Sequence, residues 1–79
     1  MNELLIYINA ANIHHELSMN ETLTEEEQDI EYGYFWDSVN EIARILVKIT
    51  NGKIDEFTAK RMAAHKRNEI EQIIYKNAI

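Results

Sequence analysis

The scarcity of chain-breaking residues constrains the fold of this sequence more than any other feature. Proline is absent and glycine occurs only at positions 33 and 52, so few positions can interrupt a helix or form a tight turn. Cysteine is also absent, which excludes disulfides and thiolate metal sites as supports for a chain of 79 residues. Because a domain of this size has a small core, long regular helices or self-association remain as means of stabilisation.

The clearest element lies in the middle of the chain. Apolar residues there recur at steps of four, three, four and three, which is the spacing of one helical face. They are Phe35, Val39, Ile42, Leu46 and Ile49. This pattern predicts a long central helix over residues 24–50.

The two ends of the central helix carry recognisable signals. Thr24 followed by Glu27 has the form of a capping box, although Thr22 with Glu25 fits the same pattern. At the other end, Asn51-Gly52 is typical of the left-handed conformation that follows a helix.

A further helix is predicted over residues 56–77, with Asp55 as its N-cap. Its inner face would use Phe57, Ala59, Met62, Ala63, Ile70, Ile73 and Ile74. Pairs at i,i+4, Glu56 with Lys60 and Arg67 with Glu71, would lie on its exposed side. The short connection makes it an antiparallel neighbour of the central helix.

The first segment admits two interpretations. Leu4 to Ile8 could form a buried strand, but the chain offers no second strand to pair with it. Ile6, Ala10, Ile13 and Leu17 keep helical spacing. We therefore expect a helix over residues 2–17.

Together these elements predict one all-α domain over residues 1–79, a three-helix antiparallel bundle with a long central helix. Dimerisation is expected either through the seam from Phe35 to Ile49 or through the first helix.

The distribution of charge is strongly uneven within a formal net charge of −6. Residues 18–38 contain seven acidic and no basic residues, whereas residues 39–79 contain eight basic and five acidic ones. One interpretation is a solvated helix that keeps the protein soluble or attracts the basic third helix. The other is a binding surface, because aromatic residues alternate with the acids and supply buried area while the acids steer a basic partner.

The second interpretation gives a set of candidate partner-binding residues. They are Glu25, Glu26, Glu27, Asp29, Glu31, Tyr32, Tyr34, Trp36 and Asp37. On a helix, the rings of residues 32–36 cannot all point inward, so at least one should be exposed or lie in an interface.

A basic stretch in the third helix raises a different possibility, direct binding of nucleic acid. It contains Lys60, Arg61, Lys66 and Arg67. The sequence pI of 4.9 is far from the basic footprint of such proteins, so we do not expect this function.

Catalytic and metal-binding motifs are absent from the sequence. No Glu lies three residues before a His, which excludes the helical di-metal pattern. Met19 stands where the zinc motif begun by His15-Glu16 requires a second His, and His65 with Glu69 fits a surface pair. With no reactive thiol and no glycine-rich loop, we expect no enzyme, no cofactor and no metal.

These considerations predict a small acidic protein that binds and modulates a protein with a basic surface or groove. Its composition, rich in Asn, Ile, Lys and Glu, resembles that of small accessory proteins of phages and mobile elements. That resemblance implies an inhibitor of a host nucleic-acid enzyme or defence system, of the anti-restriction or anti-CRISPR kind. A self-assembling structural or regulatory module is the alternative. A cytoplasmic location is expected from the absence of cysteine and of an apolar leader, and no membrane role is expected.

Overall fold

The computed structural model describes residues 2–77, and it describes side chains for residues 3–74. Four helices follow one another: α1 (Asn2–Ser18), α2 (Glu25–Ile49), α3 (Glu56–His65) and α4 (Arg67–Asn77). No strand occurs in this part of the chain. The all-helical prediction is confirmed, including a helix where Leu4 to Ile8 could have formed a strand.

The predicted ends of α2 are confirmed almost to the residue. Thr24 is its N-cap: its hydroxyl accepts a hydrogen bond from the Glu27 backbone, and the Glu27 carboxylate accepts one from the Thr24 backbone, both at 3.1 Å. At the other end, Asn51 and Gly52 have φ angles of 53° and 80°, and the Gly52 N–H donates to the Val47 carbonyl. The left-handed backbone satisfies carbonyls that the helix end leaves open.

The core is built around the predicted apolar face of α2, which α1 contacts on one side and α3 on the other. Both neighbours run antiparallel to α2: His15 of α1 and Arg67, just after α3, lie against the Phe35 ring. The buried residues of this core are Leu4, Ile8, Ala11, Phe35, Val39, Ile42, Ala43, Ile45, Leu46, Ala59, Ala63, Ala64, Ile70 and Ile74. Of the predicted seam from Phe35 to Ile49, Phe35, Val39, Ile42 and Leu46 are buried within one chain, whereas Ile49 is 41% exposed. Dimerisation through this seam stays a prediction.

The predicted third helix is divided in two at Lys66, so the prediction of three helices is wrong. Lys66 leaves the helical conformation at φ −135° and ψ 43°, and its N–H makes the last helical bond of α3, to the Met62 carbonyl. The Arg67 guanidinium folds back and donates to the carbonyls of Ala63 and Ala64. The side chain thus satisfies carbonyls that the break exposes.

The inner faces of the helices use residues that spacing alone did not identify. In α1 the buried residues are Leu4, Ile8 and Ala11, while Ile6 and Ile13, which also keep helical spacing, are exposed. In the third predicted helix, Phe57 was expected in the core and is exposed. Among the described residues, no helix is long and apolar enough to cross a membrane.

Candidate functional site

The acidic half of α2, residues 25–37, is covered on fewer sides than the following residues 38–49, which we call the enclosed half. In the enclosed half, Ala43 and Val47 lie beside Glu56 and Lys60 of α3. α3 ends at His65, and the chain stops running alongside α2 at Lys66. The next residue, Arg67, donates a hydrogen bond to Asn12 of α1. The flank of α2 that a longer α3 would have covered is therefore open along the acidic half.

Helical spacing divides the acidic half into faces with different surroundings. Residues 25, 29, 32 and 36 are four, three and four apart and so share one face. All four of these side chains are exposed; they are Glu25, Asp29, Tyr32 and Trp36. This exposed face therefore begins with the acids Glu25 and Asp29 and ends with the rings of Tyr32 and Trp36.

A second exposed face follows the same spacing one residue along the chain. It consists of Glu26, Ile30, Gly33 and Asp37, all of them exposed. A methyl group added at Gly33 would meet no other atom within 4 Å. The carboxylates of Glu26 and Asp37 therefore extend the acidic surface around the helix. Ile30 adds an exposed apolar side chain, which was not among the predicted binding residues.

The third face of the acidic half packs against α1. His14 of α1 is hydrogen bonded through Nδ1 to Glu31 Oε2 at 2.6 Å, and its ring lies 5.3 Å from that of Tyr34. Glu27 belongs to the capping box, where the bond from the Thr24 N–H lowers the pKa of the Glu27 carboxyl. These residues hold the helix in place, although half of the Tyr34 side chain remains exposed.

The aromatic residues form one cluster with a buried centre. Phe35 lies in the core, 5.5 Å from Trp36 and 6.0 Å from Tyr32 between ring centroids. Tyr32 and Trp36 are 6.1 Å apart with their planes at 86°, and their exposed fractions are 50% and 37%. We call this exposed pair of perpendicular rings the Tyr32–Trp36 corner.

No described basic residue forms an ion pair with the exposed acids of this half. The ion pairs of the described side chains are Glu31 with His14, Glu41 with Arg44 and Glu56 with Lys60. The basic side chains of α3 and α4 up to residue 74 therefore do not neutralise the acidic half by direct contact. The expected pair of Arg67 with Glu71 is not among these contacts, whereas that of Glu56 with Lys60 is confirmed at 3.5 Å.

The structure thus brings together six of the nine predicted binding residues on two adjoining exposed faces. They are Glu25, Glu26, Asp29, Tyr32, Trp36 and Asp37. Glu27, Glu31 and Tyr34 face the other way, and the first two are engaged in contacts within the chain. The helical spacing of the nine residues was enough to predict which of them share a face of the helix.

The four residues of the basic stretch, Lys60, Arg61, Lys66 and Arg67, do not form one exposed group. Arg67 is half-buried: its guanidinium carbon is 5.4 Å from the Phe35 centroid, and Nε donates to Asn12 at 2.5 Å. Burial lowers the pKa of the Arg67 guanidinium, which remains charged at neutral pH. Lys60 is paired with Glu56, which leaves Arg61 and Lys66 exposed without an ion pair.

A shallow groove of about 470 Å³ lies between α2 and α3. Its charged lining residues are Glu41, Arg44, Glu56 and Lys60, and they pair with one another at 2.8 Å and 3.5 Å. Because its charges are already satisfied, the groove offers no unpaired charge to a ligand.

Within the described part of the chain, no group of three or more His, Asp or Glu side chains is placed to hold a metal ion. Comparisons with protein-family models, curated proteins and solved structures find no match to this chain.

Proposed function

We propose that this chain is a small protein-binding modulator that docks on a basic surface or groove of another protein. The docking surface is formed by the two exposed faces of the acidic half, with carboxylates at Glu25, Glu26, Asp29 and Asp37 and with the Tyr32–Trp36 corner. Carboxylates would speed and orient the encounter, while the rings would supply the buried anchor.

One observation carries this proposal: exposed aromatic rings adjoin acids that have no cationic partner among the described residues. A solvated face that only maintains solubility requires the carboxylates but no exposed rings. Large apolar side chains exposed together on a small protein favour a binding site.

The more specific form of the proposal concerns the kind of partner. A row of carboxylates along a helix can occupy a cationic groove that otherwise binds nucleic-acid phosphates. We therefore propose a nucleic-acid enzyme or a defence protein of a host cell as the partner, with inhibition as the result.

Charge reversal tests the docking surface. We would replace Glu25, Glu26 and Asp29 by Lys and leave Glu27 in its capping box. The matched control replaces Glu16, Glu21 and Glu69, three exposed acids without an ion pair. Each variant has three replacements that add two charges each, so both move from −6 to a formal net charge of zero.

The readout is a pull-down from a bacterial lysate with wild type and both variants, at low and at high salt. We expect wild type and the control to retain the same basic protein at low salt and the charge-reversed surface to lose it. Equal retention by both variants, with unchanged helicity by circular dichroism, would contradict the proposal.

Self-association is the second candidate function, and the outer side of α1 favours it. Ile6 and Ile13 are 64% and 55% exposed, and Ala10 lies between them on the same face. Two copies packed antiparallel about a two-fold axis would place Ile6 of one protomer against Ile13 of its partner, with the small Ala10 residues at the crossing. Large apolar side chains exposed together on one face of a helix favour a second contact surface.

Light scattering across a range of protein concentrations tests this candidate, with Ile13→Asp as the variant that should remain monomeric. A wild-type chain that is monomeric at all concentrations would exclude self-association through α1. The charge-reversed variant should not change the oligomeric state, because its substitutions lie on α2 and not on α1.

A further inference from the structure

The Tyr32–Trp36 corner has the geometry of a receptor for a flat cation. The two residues are one helical turn apart, and their rings are perpendicular at a centroid distance of 6.1 Å. Both side chains are partly exposed, at 50% for Tyr32 and 37% for Trp36, so part of each ring is accessible to a ligand. A cation over the face of Trp or Tyr is attracted by the negative charge of the π system.

The same aromatic cluster already holds one guanidinium. Arg67 lies with its guanidinium carbon 5.4 Å from the centroid of Phe35, and Phe35 is in contact with both rings of the corner. No second contact of this kind occurs at Tyr32 or Trp36 within residues 3–74. The inner ring of the cluster therefore has a cation, and the two outer rings are open to one.

Carboxylates adjoin the open rings along the helix. Asp29 lies three residues before Tyr32 and seven before Trp36, and Glu25 lies one further turn away on the same face. Neither acid forms an ion pair in the described structure. A cationic side chain stacked on the rings would find Asp29 available for hydrogen bonds, and Glu25 would attract it from farther along the helix.

From these observations, and resting on the function proposed above, we propose that the Tyr32–Trp36 corner receives an arginine side chain of the partner protein. Its guanidinium would stack against the rings of the corner and donate hydrogen bonds to Asp29, one turn before Tyr32, while Glu25, eleven residues or roughly 16 Å along the helix from Trp36, would act only by longer-range attraction. Arginine fits better than lysine because its guanidinium is planar, stacks on aromatic faces and is more weakly hydrated than an ammonium.

Two peptides of equal charge separate this inference from simple charge attraction. The probes are acetylated octa-arginine and octa-lysine, each labelled with a dye for fluorescence anisotropy at low salt. Trp36 is the only tryptophan of the sequence, so its emission reports directly on the corner. We expect octa-arginine to bind wild type about two- to five-fold more tightly than octa-lysine, with a change in Trp36 emission.

Substitutions at the rings complete the test. Trp36→Leu and Tyr32→Leu keep an apolar side chain but remove the π face, and they should reduce the preference for arginine to near one, because octa-arginine binding falls more than octa-lysine binding. Phe57→Leu is the control, because Phe57 is an exposed ring on α3 outside the cluster. It should leave both affinities unchanged.

The outcomes distinguish the two proposals. If both peptides bind wild type equally, or if Trp36→Leu keeps the arginine preference, the arginine receptor is wrong while the acidic docking surface remains. If neither peptide binds wild type, or if both peptides bind the charge-reversed variant as tightly as they bind wild type, the acidic docking surface is wrong as well.

Discussion

The two halves of α2 differ in what surrounds them, although they belong to one uninterrupted helix. The enclosed half, residues 38–49, packs between α1 and α3, and its buried residues include Val39, Ile42 and Leu46. The acidic half packs mainly against α1 and leaves two of its faces exposed. The break at Lys66 thus coincides with the exposure of one half of a long helix.

The largest expected effect contrasts two isoleucines of this one helix. Ile42 is fully buried, whereas Ile30 is 51% exposed. Ile42→Ala should lower the free energy of unfolding by about 2–5 kcal/mol, which is a large part of the stability of a small domain. Ile30→Ala should change it by less than about 0.5 kcal/mol. Urea unfolding followed by circular dichroism measures both, and equal losses would contradict the division of α2.

The next effect concerns the residue that fixes the break. Arg67→Ala removes the bonds to Asn12, Ala63 and Ala64 together with the contact to Phe35. We expect a loss of about 2 kcal/mol, since hydrogen bonds of charged groups contribute about 1.5–3 kcal/mol. Arg61→Ala is the control, because Arg61 is exposed on α3. A variant at 67 as stable as the one at 61 would show that this side chain does not hold the break.

Glycine sharpens the comparison in the opposite direction. Gly33 lies in the middle of the acidic half with open space around it, so Gly33→Ala should raise the free energy of unfolding by about 0.5–1 kcal/mol. Gly52→Ala should lower it, because Gly52 has a φ of 80° that other residues adopt at a cost. Thermal unfolding of both variants would decide, and a destabilising Gly33→Ala would mean that this position is not free.

The smallest effect is the dependence of stability on pH at the two helix caps. The pKa values of Glu27 and Asp55 are lowered in the folded protein, chiefly by the backbone bonds from Thr24 and Thr58. Their contribution is therefore present above their ordinary pKa values, 4.5 and 3.8, and is lost as the pH falls through the lower folded values.

Glu27→Gln and Asp55→Asn keep a capping side chain but remove this titration. Glu27→Gln should flatten the loss of stability below pH 4.5 and Asp55→Asn the loss below pH 3.8, when melting temperatures are compared across the acid range. An unchanged slope in both variants would mean that other carboxylates dominate acid unfolding.

Much of the fold could be predicted because its signals are local. The apolar spacing of Phe35 to Leu46, the capping box at Thr24 and the left-handed pair Asn51-Gly52 each depend on neighbouring residues, and all three are confirmed. The break at Lys66 has no such signal, since neither proline nor glycine is near. It depends on Arg67 reaching a residue of α1, which a local pattern does not contain.

The residue types of the candidate surface could be predicted from the local sequence, but their exposure could not. Acids and rings between residues 25 and 37 were visible in the sequence, but their exposure depends on where α3 ends. The inner side of α1 could not be predicted either, because this helix is apolar on more than one side. Spacing alone did not decide between the Leu4, Ile8 face and the Ile6, Ile13 face.

Mapping the contact surface by NMR tests the central claim most directly. Amide chemical shifts of the ¹⁵N-labelled chain would be followed during titration with octa-arginine. We predict shifts concentrated at residues 25, 26, 29, 32, 33, 36 and 37, with residues 6, 13, 16 and 69 unchanged. Shifts spread evenly over all exposed acids, or centred on the outer side of α1, would contradict the claim that the acidic half of α2 is the binding surface.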